Sequence, residues 1–147
     1  MRILKRQVAE GPLTVIVEYP EYDASVEHLL QKLERMNVRF QGKLEDRAVS
    51  VDASEIYYLE SVERKVFLYA KEQVYRYEGN LADLEADLTG TDFVRISRTC
   101  ILNLSHLSEI RQLPNSHLEA VLDNGEKLIV FRKYLKDVKN VFGRERG

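Results

Sequence analysis

The chain has 147 residues, of which 44% are hydrophobic and 31% are charged, and it contains a single cysteine. This size and composition are typical of one globular domain, or of a small domain with an appendage, and exclude a disordered chain. The lone Cys100 excludes an intramolecular disulfide and a zinc site built from several cysteines. No apolar run approaches the roughly 18 residues that a membrane span requires, and the amino terminus lacks a signal-peptide core, so we expect a cytoplasmic protein.

The net charge is -2, but the charged residues are unevenly distributed along the chain. Residues 45–92 carry 5 basic and 12 acidic side chains, whereas residues 127–147 carry 7 basic and 2 acidic ones. A local basic face binds phosphate even when the whole protein is slightly acidic. A charge run is also commonly a solvated surface, so both interpretations stay open at this point.

Residues 1–45 are predicted to form a leader of two strands followed by a helix. Residues 2–8 are a weak strand candidate, and the β-branched stretch 13–19 is a stronger one. The Gly11-Pro12 pair between them favours a turn. We therefore expect the leader to begin with a β-hairpin.

The leader helix begins near Asp23 or Ser25, because either residue is a suitable N-cap, and Asn37 is a suitable stop. Its apolar residues recur at helical spacing and are Val26, Leu29, Leu30 and Leu33. We expect residues 39–46, which include Gly42, to connect this leader to the rest of the chain. A unit of this size buries too little surface to fold alone, so the leader is predicted to mediate self-association or to dock a regulatory partner.

From Arg47 onward, short strands separated by turns predict a β-rich domain, residues 46–147. Strand candidates are residues 48–51, 55–60, 66–69, 74–77, 93–97, 107–113, 117–122 and 127–131. Asn80 is expected to cap a short helix, and a last helix is predicted from Arg132. The Asn124-Gly125 pair between two alternating strands is a strong hairpin signal. The predicted fold class is mainly β, and α+β overall.

Residues suited to catalysis are scarce. The three histidines, His28, His106 and His117, lie far apart in the sequence and have no metal-binding spacing. The sequence also lacks a phosphate-cradling glycine loop and a nucleophile elbow. We therefore expect a protein that is not an enzyme and that uses no metal, cofactor or small-molecule substrate.

The stretch of residues 93–104 begins as a strand and then loses the strand period. Val94 and Ile96 predict an inward face, and Arg98 would fall on that face if the alternation continued. We expect the chain to leave the sheet near Ser97 and to turn Arg98 outward. A loop held by buried flanks positions a side chain for a partner. A solvated arginine on an ordinary loop is the other open interpretation.

Further basic side chains lie at the ends of predicted strands. Arg64 and Lys65 are in a polar link, and Arg132 and Lys133 stand where a strand changes to a helix. An arginine fork binds guanine bidentately or clamps a phosphate, and a helix amino terminus adds backbone N–H groups that attract anions. For Arg64 and Lys65 a solvated turn remains the alternative.

Several ordered segments together resemble a known family. They are Ile56-Tyr57-Tyr58-Leu59-Glu60-Ser61, Gly79-Asn80-Leu81, residues 93–99 followed by Asn103-Leu104, Asp123-Asn124-Gly125 and Val130-Phe131-Arg132-Lys133-Tyr134. With them, residues 46 to about 142 are similar to LytTR-type DNA-binding domains, the output domains of LytR/AlgR-like transcription regulators. The resemblance implies an elongated stack of small antiparallel sheets whose loops enter successive major grooves of double-stranded DNA.

The resemblance also implies which residues contact DNA, namely Arg98, Arg132 and the link with Arg64 and Lys65. The full predicted contact set is Arg64, Lys65, Arg95, Ser97, Arg98, Arg132 and Lys133. The family often has histidine at the position of Ser97 and serine at the position of Phe131. No receiver domain is expected, so the chain resembles compact stand-alone regulators, whose input comes from a partner, often a small membrane protein, or from regulated abundance.

We therefore expect a sequence-specific transcription regulator that binds DNA through the loops of its β domain, as a homodimer on a repeated site. The alternative is a protein-interaction adaptor in which the same domain binds a protein and the basic tail is merely solvated. Salt distinguishes the two, because DNA affinity that comes from phosphate neutralisation falls steeply with salt concentration.

Overall fold

The computed structural model describes the backbone of residues 1–146 and the side chains of residues 1–142. Its first regular element is helix α1 (Ala24–Met36). The other elements are β1 (Arg39–Leu44), β2 (Arg47–Asp52), β3 (Ile56–Val62), β4 (Lys65–Ala70), β5 (Val74–Tyr77), α2 (Leu81–Asp87), β6 (Phe93–Ser97), β7 (Cys100–Asn103), β8 (Leu107–Gln112), β9 (Leu118–Leu122), β10 (Lys127–Val130) and α3 (Leu135–Arg146). Over this part of the chain, no helix is both long enough and apolar enough to cross a bilayer.

The strands form two sheets, and every pair of neighbouring strands is antiparallel. The larger sheet has seven strands in the order β2-β1-β5-β4-β3-β7-β6, and the smaller one has three strands in the order β10-β9-β8. Most neighbouring strands are also consecutive in the chain, and because they are antiparallel, short hairpin turns are enough to connect them. The predicted mainly β fold of antiparallel sheets with short helices is confirmed.

Apolar side chains cover both faces of the seven-stranded sheet. One face packs against α2, and its cluster contains Phe40, Leu59, Leu68, Leu81, Leu84 and Leu88. The other face packs against the small sheet and α3, and that cluster contains Tyr58, Leu102, Leu118, Leu122, Val138 and Val141. Each fully buried leucine or valine contributes about 1.5–3 kcal/mol of transfer free energy, so these two clusters hold the layers together.

Helix α2 begins where the sequence predicts. The side chain of Asn80 accepts a hydrogen bond of 2.8 Å from the backbone N–H of Asp83, which satisfies one of the free donors of the first turn. Leu81 and Leu84 on one face of the helix, and Leu88 at its C-cap, are at most 5% exposed. The short helix is therefore held by its cap and by burial of one face rather than by its length.

The strand prediction for the start of the leader is wrong for the single chain. Residues 1–22 contain no strand or helix in the structure, and α1 is the first element. Apolar side chains of this segment are exposed, including Leu13 at 98% and Ile16 at 74%. A strand requires a hydrogen-bonding partner and a surface to pack on, and among the described residues no strand pairs with this segment.

The predicted connection over residues 39–46 is also corrected. Residues Arg39–Leu44 form β1, which pairs with β2 and lies inside the seven-stranded sheet. Gly42 suggested a break, but it is needed for close packing: an added Cβ would lie 3.1 Å from Cβ of Tyr75. The alternation of buried Phe40 and Gly42 with exposed neighbours is an ordinary strand signal. The β1–β2 hairpin therefore crosses the predicted division at residue 46.

Candidate nucleic-acid interface

Arg98 lies in the turn between β6 and β7, where Ser97 pairs with Cys100. The pairing register shifts between Arg95 and Ser97, which marks a bulge at Ile96. Because of the bulge, the consecutive residues Ile96 and Ser97 are both buried, and the strand period ends there. Arg98 itself is exposed. The prediction that the chain leaves the sheet near Ser97 and turns Arg98 outward is confirmed.

Arg95 and Ser97 hold the backbone of this turn. The guanidinium of Arg95 donates to the carbonyl oxygen of Arg98 at 2.8 Å and forms an ion pair of 3.2 Å with Glu85 in α2. The hydroxyl of Ser97 accepts a hydrogen bond of 3.2 Å from the N–H of Thr99. Both side chains therefore fix the geometry in which Arg98 is presented, and their direct contact with DNA stays a prediction.

Arg64 lies in the tight turn that joins β3 to β4, where Val62 pairs with Lys65. Glu63 and Arg64 both have positive φ, 51° and 68°. Hairpin turns of this type favour asparagine and glycine, and a left-handed backbone costs other residues about 1–2 kcal/mol each. Arg64 and Lys65 are exposed. Backbone strain persists mainly at functional sites. We therefore take this strained turn with its charged side chain as a candidate functional position.

Arg132 and Lys133 lie in a short 3₁₀ helix, Arg132–Tyr134, that precedes α3. The backbone N–H of Arg132 donates to Nδ1 of His117 at 3.1 Å. The prediction that this junction offers a free helix amino terminus to an anion is therefore corrected at Arg132, since its N–H is already bonded and α3 begins only at Leu135. The Lys133 ammonium lies 5.6 Å from the centre of the Tyr134 ring, within cation–π range.

Two backbone hydrogen bonds bring the three turns to one end of the molecule. The N–H of Ser61, near the end of β3, donates to the carbonyl of Thr99 at 2.8 Å. The N–H of Phe131 donates to the carbonyl of Ile96 at 3.0 Å, which places the start of the 3₁₀ helix beside the end of β6. Because β3 and β7 pair antiparallel, the β3–β4 and β6–β7 turns lie at the same edge of the sheet.

We call this region the cationic end, and it consists of Arg64, Lys65, Arg98, Arg132 and Lys133. All five side chains belong to exposed residues, and none forms an ion pair with any residue that the structure describes. Elsewhere Arg39 pairs with Asp52 and Arg111 pairs with Glu109. A group of unneutralised cations on neighbouring turns attracts a polyanion even though the net charge of the chain is -2.

Cys100 stands directly behind the Arg98 turn and is 5% exposed. Burial, with a smaller contribution from Glu60, raises the pKa of its thiol to about 12. The thiol is therefore a small core group rather than a nucleophile. Among the described residues, no cluster of histidine, cysteine and acidic side chains has the arrangement of a metal site.

The sequence did not reveal the residues that hold the turns. His117 and Arg132 are distant in sequence, as are Ser61 and Thr99, and each pair meets only through strand pairing. No local motif encodes such a contact. A histidine at the first position of the predicted strand 117–122 was the single available signal.

Residues 46–143 match the family model described as the LytTr DNA-binding domain. The sensory transduction protein LytT of Enterococcus faecalis is 35% identical over 99 residues, which are 67% of this chain and 41% of that protein. The transcriptional regulatory protein LytR of Staphylococcus aureus is 39% identical over 59 residues, which are 40% of this chain and 24% of that protein. The chain thus spans less than half the length of these relatives.

A solved LytTr DNA-binding domain from Bacillus cereus has the same fold. It superposes with a TM-score of 0.64 at 27% sequence identity, and the match covers 72% of this chain and 95% of that one. The family match extends over more than half of the chain and includes all three turns of the cationic end. This chain therefore belongs to the family of LytTR DNA-binding domains.

Proposed function

We propose that this protein is a sequence-specific transcription regulator that reads double-stranded DNA with the cationic end. The observation that carries the proposal is the convergence of three cation-bearing turns through the Ser61–Thr99 and Phe131–Ile96 backbone hydrogen bonds. The family membership and the names of the LytT and LytR relatives support it. A regulator of this kind acts in the compartment that holds the DNA, the cytoplasm.

The two residue types at the cationic end suit two different contacts. Arg98 and Arg132 are held on fixed backbone, and an arginine fork donates bidentately to O6 and N7 of guanine in the major groove. Lys65 and Lys133 are flexible point charges, which suit phosphate contacts that position the protein without reading sequence. Arg64, on its strained turn at the same end of the molecule, is assigned a further DNA contact.

Selection of bound fragments from random DNA, followed by titration of the selected site over a range of salt concentrations, tests the proposal. We expect enrichment of a defined site, and the logarithm of the association constant should fall linearly with the logarithm of salt concentration, by about 0.9 per phosphate neutralised. Absence of enrichment together with a salt-independent protein interaction would favour the adaptor alternative.

We further propose that the leader assembles two copies of this chain into a homodimer, so that two cationic ends engage a repeated site. Residues 1–22 form no backbone–backbone hydrogen bond within the described chain. Their exposed apolar side chains include Ile3, Leu4, Val15 and Ile16. A segment with unpaired backbone groups and exposed apolar side chains can add a strand to another chain.

The distribution of charged residues over residues 1–22 supports a second copy of this chain as the partner of the leader. The basic residues of the segment, Arg2, Lys5 and Arg6, all lie before residue 9, and its acidic residues, Glu10, Glu18 and Glu21, all lie after it. The two halves are thus complementary to each other, and antiparallel pairing of two copies places opposite charges across the ladder. A separate regulatory protein at the same segment is the competing outcome, and the oligomeric state of the purified protein distinguishes the two.

A further inference from the structure

His117 occupies an unusual position for a side chain outside the cationic end. It lies immediately before β9 and is half-buried, and its Nδ1 is 3.1 Å from the backbone nitrogen of Arg132. A backbone N–H only donates, so Nδ1 of His117 is the acceptor and carries no proton in this arrangement. The ring of Phe131 meets the imidazole edge to face, with the centroids 5.0 Å apart.

These contacts fix the backbone that carries Arg132. The N–H of Phe131 is bonded to Ile96 in β6, and the N–H of Arg132 is bonded to His117. The N-cap residue of the 3₁₀ helix, Phe131, provides no capping side chain of its own. The His117 imidazole therefore takes the place of an N-cap and supplies the acceptor from a different strand connection.

We propose that His117 is a positioning residue for DNA readout: it holds the Arg132 backbone in the orientation that presents the guanidinium to a base. The inference rests on the proposed function, because it assumes that Arg132 reads DNA. A fixed backbone lowers the conformational entropy lost on binding, and that gain is largest for a contact that depends on orientation. Non-specific phosphate contacts depend on orientation much less.

The test compares substitutions that keep or remove the acceptor at the Nδ1 position. His117→Leu removes it, His117→Gln moves it to the position of Nε2, and His117→Asn retains it close to Nδ1. We expect the leucine and glutamine variants to bind the selected site about three- to tenfold more weakly, which is the effect of one ordinary hydrogen bond. Affinity for random DNA should stay unchanged, and His117→Asn should restore binding of the selected site to within about twofold of the native protein.

The same substitutions in an Arg132→Ala background show whether His117 acts through Arg132. If it does, His117→Leu has no further effect on the selected site once Arg132 is replaced. An additive effect of the two substitutions would overturn the positioning role. So would a His117→Leu variant that discriminates selected from random DNA as well as the native protein while Arg132→Ala does not. Either result would leave the proposed function intact. If Arg132→Ala itself keeps full discrimination, readout by Arg132 fails and the positioning role fails with it.

His28→Leu is the matched control, because His28 is an exposed histidine of α1, outside the family domain. It should change neither the selected-site affinity nor the ratio of selected to random binding. Should His117→Leu fail to fold, as judged by circular dichroism, the comparison of His117→Gln with His117→Asn decides alone. Both variants retain a polar side chain, but the hydrogen-bond acceptor lies at the Nε2 position in the glutamine variant and close to the Nδ1 position in the asparagine variant.

Discussion

The cationic end exposes cations that form no ion pair with any described residue, and residues 1–22 of the leader expose apolar side chains, yet the backbones of these two regions differ. The turns that carry Arg98 and Arg132 are held by a hydrogen bond that Arg95 donates, by hydrogen bonds that Ser97 and His117 accept, and by backbone bonds to neighbouring strands. Residues 1–22 have no comparable bonds. The first region is therefore arranged before any partner binds, whereas we propose that residues 1–22 form strands only against a partner.

A prearranged backbone and an unpaired backbone contribute to binding in different ways. A prearranged surface loses little entropy on association and rewards a partner of matching shape, which favours sequence discrimination. An extended segment loses more entropy when it becomes ordered, so it favours a partner that is permanently available, such as a second copy of the same chain. We therefore propose that the cationic end provides sequence specificity and that the leader provides avidity.

The largest effect is expected from the leader. Replacing Val15 and Ile16, which are 63% and 74% exposed, with aspartate should convert the dimer to a monomer, because it places charges on the pairing surface. Affinity for a two-site DNA should fall by about 10²-fold or more through lost avidity, while affinity for a single half-site should not change. Sedimentation analysis and titration of both DNAs measure this.

Val74→Asp is the control for that experiment, since Val74 is also an exposed valine, at 47%, but lies in β5 of the family domain. It should leave both the oligomeric state and the DNA affinity unchanged. A leader variant that remains dimeric would contradict the assignment of avidity to the leader. A truncation meant to replace the substitutions must end before Arg39, because a cut at residue 45 removes β1.

The next largest effect is expected at the cationic end itself. Arg98→Ala and Arg132→Ala should each cost about 1–3 kcal/mol on the preferred site and little on random DNA, because a bidentate base contact is lost. Lys133→Ala should weaken binding to all sequences about equally and lower the salt slope by about one unit. Titrations of selected and random DNA separate the two behaviours, with circular dichroism as the check that all three variants fold. If the arginine variants still discriminate selected from random DNA as the native protein does, Arg98 and Arg132 are ordinary solvated side chains.

Two smaller effects of opposite sign are expected at the β3–β4 turn, a gain in fold stability and a loss of DNA affinity. Replacing Glu63 and Arg64 with asparagine and glycine should relieve the positive φ values and stabilise the fold by about 1 kcal/mol. The same change should reduce DNA affinity, because Arg64 is lost. Thermal unfolding and DNA titration of one variant thus report both effects.

Glu45→Gly is the matched substitution, because Glu45 has φ of 59° in the β1–β2 turn, away from the cationic end. It should stabilise the fold without any change in DNA binding. If both turn variants gain stability and neither loses affinity, Arg64 does not contribute to the interface.

The smallest effect concerns Asp123, in the β9–β10 turn at the opposite end of β10 from Arg132. A hydrogen bond from His106, with Nδ1 3.0 Å from the carboxylate, lowers the pKa of Asp123 below its ordinary value. The folded-state pKa lies below the unfolded one, so the contact stabilises the fold above the unfolded pKa of about 4 and is lost as the pH falls through the folded value. Asp123 is half exposed, so the contribution is screened and amounts to at most about 1 kcal/mol.

Unfolding of the native protein and of Asp123→Asn by denaturant at pH 7 and pH 3 measures that contribution. The native protein should be the more stable at pH 7, and the difference should shrink at pH 3. DNA discrimination at neutral pH should be equal in the two proteins, because this turn lies outside the cationic end. A loss of discrimination in Asp123→Asn would mean that the small sheet transmits its geometry to the Arg132 backbone.

Elements with local signals could be predicted from the sequence. Asn80 predicted the start of α2, Asn124-Gly125 predicted the β9–β10 hairpin, and the break in alternation after Ile96 predicted the outward turn at Arg98. Each signal acts over a few residues, through a side-chain cap, a turn conformation or the two-residue period of a strand. The family resemblance then indicated which turns belong to one interface.

Contacts between residues that are distant in the sequence could not be predicted from local signals and became visible in the tertiary structure. Gly42 belongs to a strand rather than a connection because Tyr75 lies against it, and residues 13–19 are not a strand because no residue that the structure describes pairs with them. The backbone of Arg132 is held by His117, which no spacing rule links to it. Propensity describes what a segment prefers locally, but a ladder or a bridging hydrogen bond exists only when folding brings its second partner into place.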